Sequence, residues 1–256
     1  MFTLSFSKVY YSKVEPYEIR DISSNVSGLV LYVDENSIGK KLSKSAYIEI
    51  DSELDKQELK FIEDKLVYLK KIISANEAVL INLENSLDKK RENYKKIESL
   101  KIKSVVEKDR EFHDLINSEN QFLNTQKEIE NLKVQITDLK LKEVYLRRSI
   151  SDKNLTANGF TLYSILVKPG QVVAVSTPLA RVADISKALL TIYLDEPDVK
   201  DAKKKVVYID GEKTSYKISR LLNIADSKNI SKYMAQIVIK SPKLFSKLVK
   251  IELRDE

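Results

Sequence analysis

The chain has 256 residues, enough for one or two domains, and it sets 44 Lys and Arg against 38 Asp and Glu. Charge is therefore balanced mostly within the chain, unlike the one-signed face of a nucleic-acid-binding protein. The absence of Cys excludes disulfides, thiolate metal sites and a cysteine nucleophile, and the lone His113 excludes a His-pair zinc site and argues against a Ser-His-Asp triad.

Met1-Phe-Thr-Leu-Ser-Phe-Ser7 has no basic start and too short an apolar core for a whole export signal, but it fits the last part of one. Lys8–Val14 reads as a short strand. From Val26 the chain runs Val26-Ser-Gly28-Leu-Val-Leu-Tyr-Val, reaches Gly39 and closes on Tyr47-Ile-Glu-Ile-Asp51. Apolar residues bounded by glycine turns indicate short strands.

Between Lys40 and Asn158 there is neither Gly nor Pro, the residues that punctuate turns. Lys, Glu, Leu, Ile and Asn dominate this stretch and select helix. Leu59, Leu66, Ile73, Leu80, Leu87 and Tyr94 form one seven-residue series, and Ile62, Leu69, Asn76, Leu83, Lys90 and Ile97 form the interleaved one. Such 3-4 spacing is a coiled-coil seam, on which Asn76 would fix the register at some cost in stability. After a polar break from Leu100 to Ser104, Leu115, Phe122, Ile129 and Ile136 interleave with Ser118, Thr125, Leu132, Leu139 and Leu146. The expectation is an antiparallel helical hairpin whose arms, at about 1.5 Å per residue, are on the order of 70 Å long. Leu80-Ile81 and Ile72-Ile73 widen the apolar stripe beyond one seam, as lateral packing between hairpins would need. His113, near the tip, reads as an ordinary surface residue.

Gly159-Phe-Thr-Leu-Tyr-Ser-Ile-Leu-Val-Lys-Pro-Gly170 then repeats the earlier strand unit with the same Gly-to-Gly interval, and Leu179-Ala-Arg-Val-Ala-Asp184 closes it on Asp as before. Neither copy can bury its apolar face alone, so the two should pair into one small sandwich split by the hairpin. From Ala188 onward, alternating runs at Ala188–Leu194, Lys205–Ile209, Thr214–Ser219, Met234–Ile239 and Leu248–Leu253 suggest a small barrel, which Lys8–Val14 would join. Asp210-Gly211 signals a hairpin turn and Pro197 a helix start.

Half-motif, hairpin, half-motif and barrel in that order resemble the HlyD-type membrane fusion proteins, the periplasmic adaptors of tripartite efflux pumps and type I secretion systems. The matching residues are Val26–Val33 with Gly39, Val167-Lys-Pro-Gly170-Gln-Val-Val with Pro178–Asp184, Leu194-Asp-Glu-Pro-Asp-Val199, and the closing strand Lys247–Leu253. The resemblance implies an α+β fold: a split lipoyl-like barrel-sandwich hybrid (21–51 and 159–186) with a long inserted helical hairpin (52–158), after an N-terminal strand region (1–20) and before a β-barrel domain (187–256). Gly28, Gly39, Gly159 and Gly170 would be the structural turns of the two halves. A biotinyl or lipoyl carrier is excluded, because the turn that would present its modified lysine is replaced by the hairpin.

In efflux adaptors of this family the hairpin tip carries an Arg, a Leu four residues on and a Ser seven beyond that, which contact the outer-membrane channel. This sequence supplies Ser104 and, seven residues earlier, Ile97, but Asn93 stands in the Arg position and Arg91 lies two before it. Asp109 follows Ser104 by five. Ile97, Leu100, Lys101, Lys103, Ser104 and Asp109 are thus the implied docking residues. Independently of the resemblance, Lys89 to Arg110 contains nine basic and four acidic residues, nearly the whole net charge of +6, which suits an acidic partner.

The resemblance implies a non-enzymatic adaptor in the periplasm, associated with the inner membrane. It would link an inner-membrane transporter (ABC or proton-driven) to a TolC-like channel as a homo-oligomer, a hexamer in this family, with no cofactor and no nucleic acid. The rival reading is a structural coiled-coil scaffold with β-domain caps and no transport role.

Overall fold

The computed structural model describes residues 8–225 and 231–255. The chain divides into two compact units, Ser52–Lys153 and the paired flanks on either side of it.

Ser52–Lys153 is two helices, α1 (Glu53–Ser99, 47 residues) and α2 (Val105–Lys153, 49 residues). Every residue of the two α1 series named above is buried or half-buried, Lys90 included, and so is every member of the α2 series. Cross-helix ion pairs follow the antiparallel register set by the seam. With Leu59 and Leu115 as position a of their heptads, Glu63 meets Arg147 and Arg91 meets Glu119 across the e positions, while Glu58 meets Lys142 across the g positions. Near the foot of the hairpin Asp55 accepts from Ser149 Oγ (2.7 Å) and Lys153 Nζ (3.0 Å). Burial raises the Asp55 pKa and these two donors lower it, leaving it below its usual value. Asn76 is half-buried on the seam and its Nδ2 has no partner.

The flanks contain thirteen strands among the described residues. Before the hairpin come β1 (Val9–Lys13), β2 (Glu15–Ser23), β3 (Gly28–Val33) and β4 (Ile48–Ile50). After it come β5 (Asn154–Leu155), β6 (Thr161–Ile165), β7 (Val172–Val173), β8 (Pro178–Asp195), a short α3 (Glu196–Val199), β9 (Val206–Ile209), β10 (Glu212–Lys213), β11 (Ile218–Ala225), β12 (Lys232–Lys240) and β13 (Leu248–Arg254). The residues expected to extend the hairpin to 158 turn into β5 instead, because Asn154 and Leu155 pair with Glu49 and Ile48.

The two half-motifs close over one core. Val30, Val33, Leu42, Tyr47, Ile48 and Ile50 from the first half pack with Leu162, Val167, Val173, Leu179, Ala180 and Val182 from the second. Backbone pairing crosses the same divide, Gly28 with Val173 and Leu29 with Val172. Tyr47 is 1% exposed, and burial pushes its hydroxyl pKa up to about 12. Gly39, Gly159 and Gly170 occupy positive-φ turns, at 81°, 90° and 84°. Gly28 departs from the expected turn role: it opens β3, and a Cβ there would lie 2.7 Å from Ile50 Cγ2. Its requirement is space, not a left-handed backbone.

A second core, with Leu190, Ile192, Leu194, Val207, Ala235, Ile237, Val249 and Ile251 at its centre, fills the barrel. β1 joins it, pairing with β13 from Val9–Glu252 to Lys13–Leu248. Asp210 and Gly211 both have positive φ (52° and 90°), as the tight turn between β9 and β10 demands. β8 is continuous through residues 186 and 187, where the sequence suggests a domain join. Its first part pairs with β2 and β6 and its last part with β12. One strand thus serves both cores.

Candidate functional site

The tip of the hairpin is built by two helix ends. α1 stops where Leu100 turns to an extended backbone (φ −80°, ψ 122°), its N–H still bonded to Ile97 O. Ser99 Oγ donates to Lys96 O at 2.7 Å, occupying one of the carbonyls left open at a helix end.

α2 starts on a capping box. Ser104 N–H donates to Glu107 Oε2 (3.0 Å), Glu107 N–H donates to Ser104 Oγ (3.3 Å), and the Ser104 hydroxyl donates to the same carboxylate (3.1 Å). Lys103 Nζ reaches Glu107 Oε1 at 3.1 Å. The Ser104 N–H, the Lys103 ammonium and the Ser104 hydroxyl together hold the Glu107 carboxyl below its usual range. Lys108 Nζ donates to Glu98 O at 2.8 Å, tying the two helix ends together. Below the tip, Tyr94 packs on Phe112 and Phe112 on His113, with ring centroids 5.6 and 6.1 Å apart.

This geometry sorts the residues implied for docking. Ile97 is half-buried on the seam, and the reason is arithmetic: its seven-residue distance from Ser104 is also the distance from Lys90, its predecessor in the seam series. The Ser104 hydroxyl is engaged in the capping box. Arg91 is paired with Glu119 (2.9 Å) and Asp88 (3.5 Å) and takes no part in the tip surface. Leu100, Lys101, Lys103 and Asp109 are exposed.

Three residues outside the implied set dominate the surface. Ile102 is 89% exposed, Val106 78% and Val105 73%. Apolar side chains held in water on a capped, cross-tied turn have no role in holding the hairpin, and exposed clusters of this kind mark contact sites. The signal was present in the sequence as Ile102 and Val105-Val106 interrupting a polar stretch. Around them Lys89, Lys95, Lys96, Lys101 and Arg110 have no carboxylate partner among the described residues, against three such carboxylates, Glu92, Glu98 and Asp109.

No protein-family model matches the chain, and no curated protein sequence does. Solved structures do. MacA from Actinobacillus actinomycetemcomitans superposes with a TM-score of 0.62 at 21% identity, over 96% of this chain and 78% of that one. A MacA–MexA chimera containing the Pseudomonas aeruginosa MexA α-hairpin domain gives 0.59 at 15% identity, over 98% and 82%. This chain has the membrane fusion protein fold. A putative efflux transporter from Bacteroides eggerthii shares that fold at a TM-score of 0.53 and 14% identity, over 98% of this chain and 69% of that one. The membrane fusion fold here carries no helix, among the described residues, that is long and apolar enough to cross a membrane. No cluster of three or more metal-ligating side chains occurs among them either.

Proposed function

We infer that the chain is a periplasmic, inner-membrane-associated adaptor that links an inner-membrane transporter to a TolC-type outer-membrane channel and performs no chemistry of its own. The observation that carries this reading is the hairpin tip: Ile102 projects from the connecting turn and Val105 and Val106 from the capped start of α2, in a chain whose fold is that of MacA over nearly its whole length. The partner surface that suits this tip is an apolar socket rimmed by carboxylates. Burial of the three side chains supplies affinity and the surrounding cations speed encounter.

The hairpin surface supports assembly from several copies. On α1, Leu54, Phe61 and Tyr68 fall at heptad position c and Ile72 and Val79 at g, all exposed, and they form one apolar stripe on the g side. On α2, Leu123 and Val144 fall at b and Val134 and Leu141 at f, on the back and the e side. Exposed Val67 and Ile81 at b of α1 and exposed Tyr145 at c of α2 extend these surfaces, so both helices carry apolar side chains on their outer faces. Such surfaces suit packing of one hairpin against the next, and a closed ring of copies buries them in every copy. The number six comes from resemblance alone. A scaffold without a transport role leaves the exposed tip unexplained.

Photo-crosslinking tests the reading in cells. A benzoylphenylalanine at position 102 or 106 is expected to capture the TolC-type channel, while one at the exposed mid-hairpin position 84 is not. Capture from all three positions alike, or from none, would overturn it.

A further inference from the structure

β8 presents Ala180 and Val182 to the sandwich core and turns Arg181, Ala183 and Ile185 to the opposite face. In the sheet, Ala183 pairs with Ile19 of β2 on one side and with Thr161 of β6 on the other. Cross-strand partners share a face, so Ile19, Ala183 and Thr161 form one row with the smallest side chain in the middle. The result is a trough. It opens into a cleft of about 460 Å³, within the size range of small-molecule sites.

The lining of this cleft is unusual for a surface groove. Ile19, Ile38, Tyr163 and Ile185 all line it and all are exposed, and half-buried Phe245 joins them from the segment before β13. Water is thus left against several large apolar side chains around a single concavity. The Thr161 hydroxyl, in the same lining, is buried without a hydrogen-bond partner. Charge in the lining favours an anion: Lys13 and Arg181 stand against Glu15. Arg181 gives its Nε–H to Asp21 at 2.6 Å, leaving its remaining N–H groups available, and Lys13 has no carboxylate partner among the described residues.

We propose that this cleft binds a single-chain anionic amphiphile, the alkyl chain lying in the trough over Ala183 and the anionic head met by Lys13 and Arg181. A fatty carboxylate is the simplest such molecule. The site is remote in sequence from the hairpin tip and stands whether or not the tip docks a channel.

Isothermal titration calorimetry of the full chain with dodecanoate, below its micelle-forming concentration, tests the proposal. Saturable binding of one molecule per chain is expected. Ala183→Leu, which fills the trough, should weaken it at least tenfold, and so should Ile38→Asp, a substitution on an exposed residue that leaves both cores untouched. Lys13→Ala should weaken dodecanoate severalfold and leave dodecanol unchanged. Absence of saturable heat with wild type, or equal binding by wild type and Ile38→Asp, would overturn the proposal. So would a wild-type chain that self-associates in sedimentation, binds no dodecanoate and becomes monomeric with Ile38→Asp, since the cleft would then be an interface between copies.

Discussion

The hairpin and the β unit solve the same problem, burial of apolar surface, by opposite means. In the hairpin each seam residue meets partners set by a repeat of three and four residues, and the contact is renewed at every heptad from Leu59 to Ile97. In the β unit single strands pair across most of the chain, as Val9 does with Glu252 and Glu15 with Leu189. The first arrangement is redundant along its length. The second is cooperative, because removing one core residue loosens strands from both ends of the sequence.

The largest expected effect follows from that contrast. Leu190→Ala in the barrel core, where Leu190 is fully buried, should cost about 3–5 kcal/mol and lower the melting of the whole β unit in calorimetry. Leu87→Ala on the seam removes a side chain of similar burial, yet its hydrogen-exchange signature should stay within the neighbouring heptads. An equally global effect of the two would break the comparison.

Two glycines sharpen it next. Gly28→Val should cost about 1–3 kcal/mol through overlap with buried Ile50, measured by denaturant unfolding. Gly39→Ala meets nothing within 4 Å and should cost about 1–2 kcal/mol through its φ of 81° alone. Gly28→Ala relieved by Ile50→Ala, which removes the clashing Cγ2, with no such rescue for Gly39→Ala, would confirm the two causes.

A smaller change of opposite sign is expected at Asn76. Replacing it by Leu removes a buried unpaired amide nitrogen and should raise hairpin stability by about 1 kcal/mol in thermal melts. The smallest effect concerns the tip. Glu107 is held below its ordinary 4.5, so its contribution is complete above the usual glutamate range and is lost as pH falls through its lowered value. Carboxyl NMR should find its midpoint low in the wild type and moved upward in Lys103→Ala; a midpoint at the ordinary value would remove the capping box from the account.

What the sequence made legible divides along the same line. The seam was readable because every position repeats, and the split sandwich because its two halves share glycine spacing and closing runs. β2 was harder to see, since Glu15-Pro-Tyr-Glu-Ile-Arg-Asp-Ile-Ser23 lacks a clean apolar alternation. β8 hid its continuity because Leu179-Ala180 and Val182-Ala183 are buried in successive pairs, which breaks the simple alternation of a strand. At the tip, a family spacing of seven coincided with the coiled-coil period and drew Ile97 into the docking set, while the sequence carried Ile102, Val105 and Val106 in plain view. Position in a linear pattern could not say which of these the turn would expose.

Equilibrium binding of the full chain to the source organism's TolC-type channel, held in lipid nanodiscs, tests the central claim most directly. The wild type should bind; Val106→Asp should weaken binding about thirtyfold, or about 2 kcal/mol, and Ile97→Ala about twofold or less. Binding by Val106→Asp equal to wild type, or no binding by the wild type at all, would contradict it.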